Sequence, residues 1–159
     1  MPKGDEAAAA LVALRRIIRF LRLADREAEA SHGLTAAQLF VLHSLADAPA
    51  SSLGELARRT LTDQSSVSTV VARLETKRLL ARATSRDDRR RVELRLTASG
   101  KKIVAAGPDA PQPGIIAAIE AMKPAKRREL VRALEGLVTA IGAGDVEPLM
   151  LFEDEGRTK

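Results

Sequence analysis

The chain has 159 residues, close to one domain on the rule of roughly 150 residues per domain, and 45% of them are hydrophobic, enough for a real core. With 26 Lys+Arg against 21 Asp+Glu the formal charge is +5, which favours a polyanionic partner. The absence of cysteine excludes disulfides, thiol catalysis and thiolate metal sites, two histidines leave little metal chemistry, and three Phe without Trp or Tyr make a base-stacking surface hard to build, so no metal or cofactor is expected and duplex nucleic acid is favoured over single strands.

Leu11, Leu14, Ile18 and Leu21 recur at three- or four-residue steps, which predicts an amphipathic helix over the first thirty residues. Its most apolar run, Ala7 to Leu14, is shorter than the roughly 20 residues needed to span a membrane and meets Arg15 and Arg16. A soluble, cytoplasmic and nucleoid-associated protein without membrane or targeting segments is therefore expected.

Thr35 and Gln38 form a capping-box pattern that opens a second helix, with Leu34 placed to staple against Leu39, and Pro49 sets its end. Ser52 and Glu55 repeat the pattern for a short third helix ending near Thr60. Thr62 or Asp63 then caps a helix whose Val67, Val70, Val71 and Leu74 have the spacing of a buried face. Ser65, Thr69, Ala72, Arg73 and Thr76 are read onto the opposite face, flanked by Ser66 and Ser68.

Leu80 to Thr84, a charged loop from Ser85 to Arg91, and the alternation of Val92 to Leu96 predict a two-stranded hairpin. It carries six arginines, Arg82, Arg86, Arg89, Arg90, Arg91 and Arg95, against three acids, Asp87, Asp88 and Glu93. Thr97 caps a further helix, which Gly107, Pro108, Pro111, Pro113 and Gly114 are expected to break or kink before Ile115. The last helix is predicted to open at Pro124, carry Leu130, Leu134, Leu137 and Ile141 on one stripe, and close at Gly142, leaving a poorly specified tail.

Helix, turn, helix and basic hairpin is the order of a winged helix-turn-helix. The fold class is thus mainly α with a small two-stranded β-wing, together with dimerisation helices. The hydroxyls of Ser65, Ser66, Ser68 and Thr69 suit phosphates or base edges, Arg73 suits a bidentate contact to guanine, and the wing arginines suit the minor groove.

The stretches Leu34-Thr-Ala-Ala-Gln-Leu39, Leu53-Gly-Glu-Leu-Ala57 and Asp63-Gln-Ser-Ser-Val-Ser68 are similar to the MarR family of bacterial transcription regulators. The most specific block is Asp88-Arg-Arg-Arg-Val-Glu-Leu-Arg-Leu-Thr-Ala-Ser-Gly100, which resembles that family's wing. The resemblance implies a homodimer that reads a pseudo-palindromic duplex site, as a repressor relieved by a small anionic or phenolic effector. It places Ser65, Ser66, Ser68, Thr69 and Arg73 on the recognition helix and Arg86, Arg89 and Arg90 on the wing, with Asp88 pinning a wing arginine. The expected division is a dimerisation helix over 1–30, a winged DNA-binding domain over 31–96, dimerisation helices over 97–142 and a tail over 143–159.

The dimer also follows from apolar stripes on the first and last helices that one small winged domain cannot cover. Arg15 and Arg22, seven residues apart beside the first stripe, and His43, at the edge of an apolar face, are candidate effector contacts set against ordinary structural roles. An enzyme is disfavoured, because there is no Gly-x-Ser-x-Gly elbow and Arg95 stands where a phosphate loop would need glycine. A nonspecific architectural DNA-binding protein, or a winged domain used for protein contact, remains the alternative.

Overall fold

A computed structural model of the chain describes residues 3–46, 48–85, 88, 92–106 and 110–153. The element order is α1 (Lys3–His32), α2 (Ala36–Ser44), α3 (Leu53–Thr60), α4 (Gln64–Thr76), β1 (Leu80–Thr84), β2 (Val92–Leu96), α5 (Ala98–Ala106), α6 (Pro111–Glu120) and α7 (Pro124–Ala140). It is a mainly α fold with a two-stranded antiparallel wing.

Local chemistry sets the helix starts. The Thr35 hydroxyl accepts from the Gln38 amide at 3.2 Å while the Gln38 side chain accepts from the Thr35 amide at 3.3 Å, so both arms of the capping box form. At α3 only one arm forms: Ser52 accepts from the Glu55 amide at 3.0 Å, whereas the Glu55 carboxylate reaches past Ser52 to the Ser51 amide and hydroxyl at 2.7 and 2.5 Å. Those two donors hold Glu55 far down the carboxylate range, at about 2.

The core is built by α2, α3, α4 and the hairpin. Leu39, Val41, Leu42, Leu56, Val67, Val70, Val71, Leu74, Leu80 and Leu94 are all buried together there. The hairpin register pairs Leu80 with Leu96 and Thr84 with Val92. A further bridge joins Leu94 to Ala50, through Leu94 N–H donating to Ala50 O at 2.7 Å and Ala50 N–H donating back at 3.0 Å. That bridge ties the wing to the segment leading into α3.

The helices flanking this core are different. On α1, Leu21 and Ala28 are buried, but Leu11, Leu14, Ile17, Ile18, Phe20 and Leu23 are exposed. On α7 the predicted stripe is open to solvent, with Leu134 at 50% and Ile141 at 67% exposure. Gly142, at φ +71°, ends α7 in the left-handed conformation that glycine adopts without strain.

The expected break after the wing is confined to a shorter stretch than the prolines imply. Helix α6 resumes at Pro111 and runs through Pro113 and Gly114, ahead of Ile115. Prolines in a first turn cost no hydrogen bond, because those N–H groups have no intrahelical partner. Gly107 and Pro108 lie outside the described residues.

Candidate nucleic-acid interface

The helix-turn-helix is fixed at three points. Asp63 caps α4 by accepting from the Ser66 amide at 2.8 Å. Leu61 closes α3 in the left-handed conformation at φ 51°, which turns the chain sharply into Thr62 and Asp63. Arg59 holds the loop before α3, its guanidinium donating to Ala48 O at 2.7 Å and Pro49 O at 2.9 Å while it pairs with Glu55.

On α4 the side chains divide cleanly. Ser65, Ser68, Thr69, Ala72 and Thr76 are exposed, and opposite them Val67, Val70, Val71 and Leu74 are buried. The exposed face is small and hydroxyl-rich, which lets a helix approach a polyanion closely. Thr69 and Thr76 donate to the helix carbonyls of Ser65 and Ala72 at 3.3 and 3.0 Å, leaving their oxygens as acceptors. Arg73 is half-buried toward the α1–α2 junction, where it shares a concavity of about 370 Å³ with Glu29, Gly33, Thr35 and Lys77.

Ser66 departs from the expected face. It is 1% exposed, its hydroxyl donates to Glu153 Oε2 at 2.5 Å and accepts from the Met150 amide at 2.9 Å, so it is engaged inward and presents nothing to an external ligand. The signal was in the spacing: Ser66 precedes Val70 by four residues and Leu74 by eight, which places it on the buried stripe. Gln64, outside the expected set, is exposed at the first turn, four residues before Ser68 on the same face.

At the wing, Ser85 is buried and its hydroxyl donates to Glu93, which holds that carboxyl below its ordinary range with help from Arg95 at 2.6 Å. The Asp88 amide donates to the Ser85 hydroxyl at 3.4 Å, starting the loop. Arg82 pairs with Glu75 at 3.1 Å. Both strand arginines thus sit against acids of the chain, and the basic surplus of the ribbon falls to its loop. Arg86, Arg89 and Arg90 lie outside the described residues.

Arg15 and Arg22 come together with Arg19 and Arg26 along a concavity on α1 of about 410 Å³. His43 does not join them; it is half-buried on α2, with Nε2 lacking a hydrogen-bond partner. Among the described residues there is no cluster of three metal-ligating side chains, and no helix is long and apolar enough to cross a membrane.

The helix-turn-helix and the start of the wing fall in one matched region. Residues 32–91 match the model of the MarR family. The HTH-type transcriptional repressor MdtR of Bacillus subtilis (strain 168) is 40% identical over 74 residues, covering 46% of this chain and 48% of that protein. The solved structure of BpsR from Bordetella bronchiseptica is 31% identical, covers 80% of this chain and 91% of that one, and superposes with a TM-score of 0.52.

The chain belongs to the MarR family. A MarR/EmrR family regulator from Acinetobacter sp. ADP1, 18% identical with a TM-score of 0.55, covers 89% of this chain and 99% of its own and shares the fold. The alignment to the curated repressor spans about half the length of that protein. Within this MarR-family chain the helix-turn-helix is the part where sequence likeness, fold and exposed chemistry coincide.

Proposed function

We propose that the chain is a sequence-specific, double-stranded DNA-binding transcription regulator rather than an enzyme, acting as a homodimeric repressor in the cytoplasm, associated with the nucleoid. The observation that carries this reading is the exposed face of α4, in which Ser65, Ser68 and Thr69 stand clear of the core on a helix held rigidly by its Asp63 cap and by the α3 turn. Such a helix enters the major groove, where Arg73 at its far flank reads a base edge and the hydroxyls hold phosphates. The wing arginines Arg86, Arg89 and Arg90 supply backbone or minor-groove contacts. Ser66 is left out of this set, because its hydroxyl is taken inside the protein.

The open apolar faces of α1 and α7 support the homodimer. Exposed leucines, isoleucines and valines in stripes cost free energy in water unless a partner covers them, and a twofold partner gives two recognition helices about one helical turn apart on a pseudo-palindromic site. An anionic or phenolic effector that relieves binding is supported by the four arginines lining the α1 concavity, Arg15 and Arg22 among them. A relative whose DNA binding is regulated by 6-hydroxynicotinic acid points to the same class of ligand.

The deciding experiment is a fluorescence-anisotropy titration against duplex from upstream of the chain's own gene and a shuffled duplex, across a salt series. A specific regulator binds its site about 10³-fold or more tighter than the shuffled duplex. A ratio near one that persists after selection from random duplexes, with only a steep salt slope, identifies an architectural protein instead.

A further inference from the structure

The C-terminal segment is not a free tail. After α7 the chain turns back, and residues 148–151 form one wall of a cavity of about 210 Å³ whose other walls are Phe40, Thr60, Leu61 and Thr62 and, from α6, Gln112, Ile115 and Ile116. Met150 is buried at 6% exposure. Three hydrogen bonds fasten the segment: the Met150 amide to Ser66 Oγ at 2.9 Å, Ser66 Oγ to Glu153 Oε2 at 2.5 Å, and Gln112 Nε2 to Leu151 O at 3.3 Å. Two elements far apart in sequence, the recognition helix and α6, are joined by this one strap.

From this we infer that residues 148–153 form an autoinhibitory strap on the recognition helix, which opposes DNA binding while docked; the inference rests on the DNA-binding reading above. Ser66 is the third residue of α4, so Glu153 brings a carboxylate to the turn where the helix N-terminus already carries Asp63. That end of a helix attracts anions, and a phosphate approaching it meets two carboxylates of the protein's own. Glu153 is the one acid of the strap, set on a chain of net +5. Like charges oppose phosphate binding, and opposite charges favour docking of the strap.

The strap is also built to be displaceable. Phe152 takes φ +62°, a left-handed conformation that a β-carbon disfavours, so tertiary contacts hold the segment in a conformation its backbone resists. Its apolar hold is concentrated in Met150, a flexible side chain adaptable to an irregular groove. Release would free the Ser66 hydroxyl and uncouple α4 from α6.

The test compares the parent chain with Met150→Asn, which evicts the strap without adding charge, and Glu153→Gln, which removes the carboxylate and keeps the contact. Hydrogen exchange of the 148–153 peptide, without DNA, reports docking. Exchange speeds up in Met150→Asn, and affinity for both specific and shuffled duplex rises about three- to fivefold at low salt in both variants, the gain in Glu153→Gln fading as salt is raised. Affinity that stays equal or falls in Met150→Asn, with the strap released, overturns the inference and leaves the DNA-binding reading standing. Failure of the parent chain and both variants to bind any duplex overturns that reading, and the inference with it.

Discussion

A β-carbon added at Gly100 would lie 2.1 Å from the carbonyl oxygen of Leu79. That carbonyl already accepts from the Thr97 amide at 3.1 Å, and the Gly100 amide is itself bonded to the Thr97 hydroxyl at 3.1 Å. The first turn of α5 is thus pressed against the entrance to β1, and the glycine that ends the wing block is there because backbone meets backbone. Neither side can swing away as a side chain would. Gly100→Ala is expected to cost about 3 kcal/mol, at the upper end of overpacking penalties, and chemical denaturation with an unchanged slope checks it.

The open stripes of α1 and α7 predict the oligomeric state. Sedimentation of the parent chain is expected at twice the 17.1 kDa of one chain. The pair Leu134→Glu and Leu137→Glu, at positions with 50% and 48% exposure, introduces charge into the stripe without touching the winged core and yields monomer. A dimer that survives this pair places the interface elsewhere.

Arg73→Ala is expected to relax preference at one base pair by about 1–3 kcal/mol while leaving binding to shuffled duplex little changed. Arg89→Ala weakens all duplexes more evenly, because a backbone contact carries no sequence information. Titrations of both variants against single-base-pair substitutions in the selected site separate the two roles. Equal losses on specific and shuffled duplex for Arg73→Ala remove it from base reading.

Glu55 sets an acid limit on stability. Its carboxyl titrates at about 2 in the folded chain against an ordinary 4.5, so the unfolded chain takes up the proton first as pH falls. The stabilisation is fully present above about pH 4.5 and drains away toward pH 2. Thermal melts across that window are expected to show a steeper loss for the parent chain than for Glu55→Gln, which has no proton to gain. Parallel losses in the two proteins mean that other carboxylates govern acid unfolding.

Much of the recognition unit was legible in the residues, for a local reason. Thr35 with Gln38, Ser52, and Asp63 each satisfy backbone donors within three residues, and the period of Val67, Val70, Val71 and Leu74 fixes which side of α4 is buried. The hairpin is legible from alternation, whereas its register, which pairs Leu80 with Leu96, is set by the fold. Helix α6 starts earlier than its glycines and prolines predict, because Pro111 and Pro113 stand in the first turn, where proline forfeits nothing.

What the sequence by itself determined is therefore the set of contacts spanning a few residues, namely caps, periodicity and turns, together with the resemblance to the family. What only the tertiary structure decided is who meets whom across the chain. Ser66 looked like one hydroxyl among four, yet its partners are 84 and 87 residues away at Met150 and Glu153. Gly100 is a motif position in the sequence, and only the fold sets the Leu79 carbonyl against it. Such pairings leave no periodic signal, because they are fixed by how whole helices pack and where a returning segment lands, and neither is encoded in the spacing of neighbouring residues.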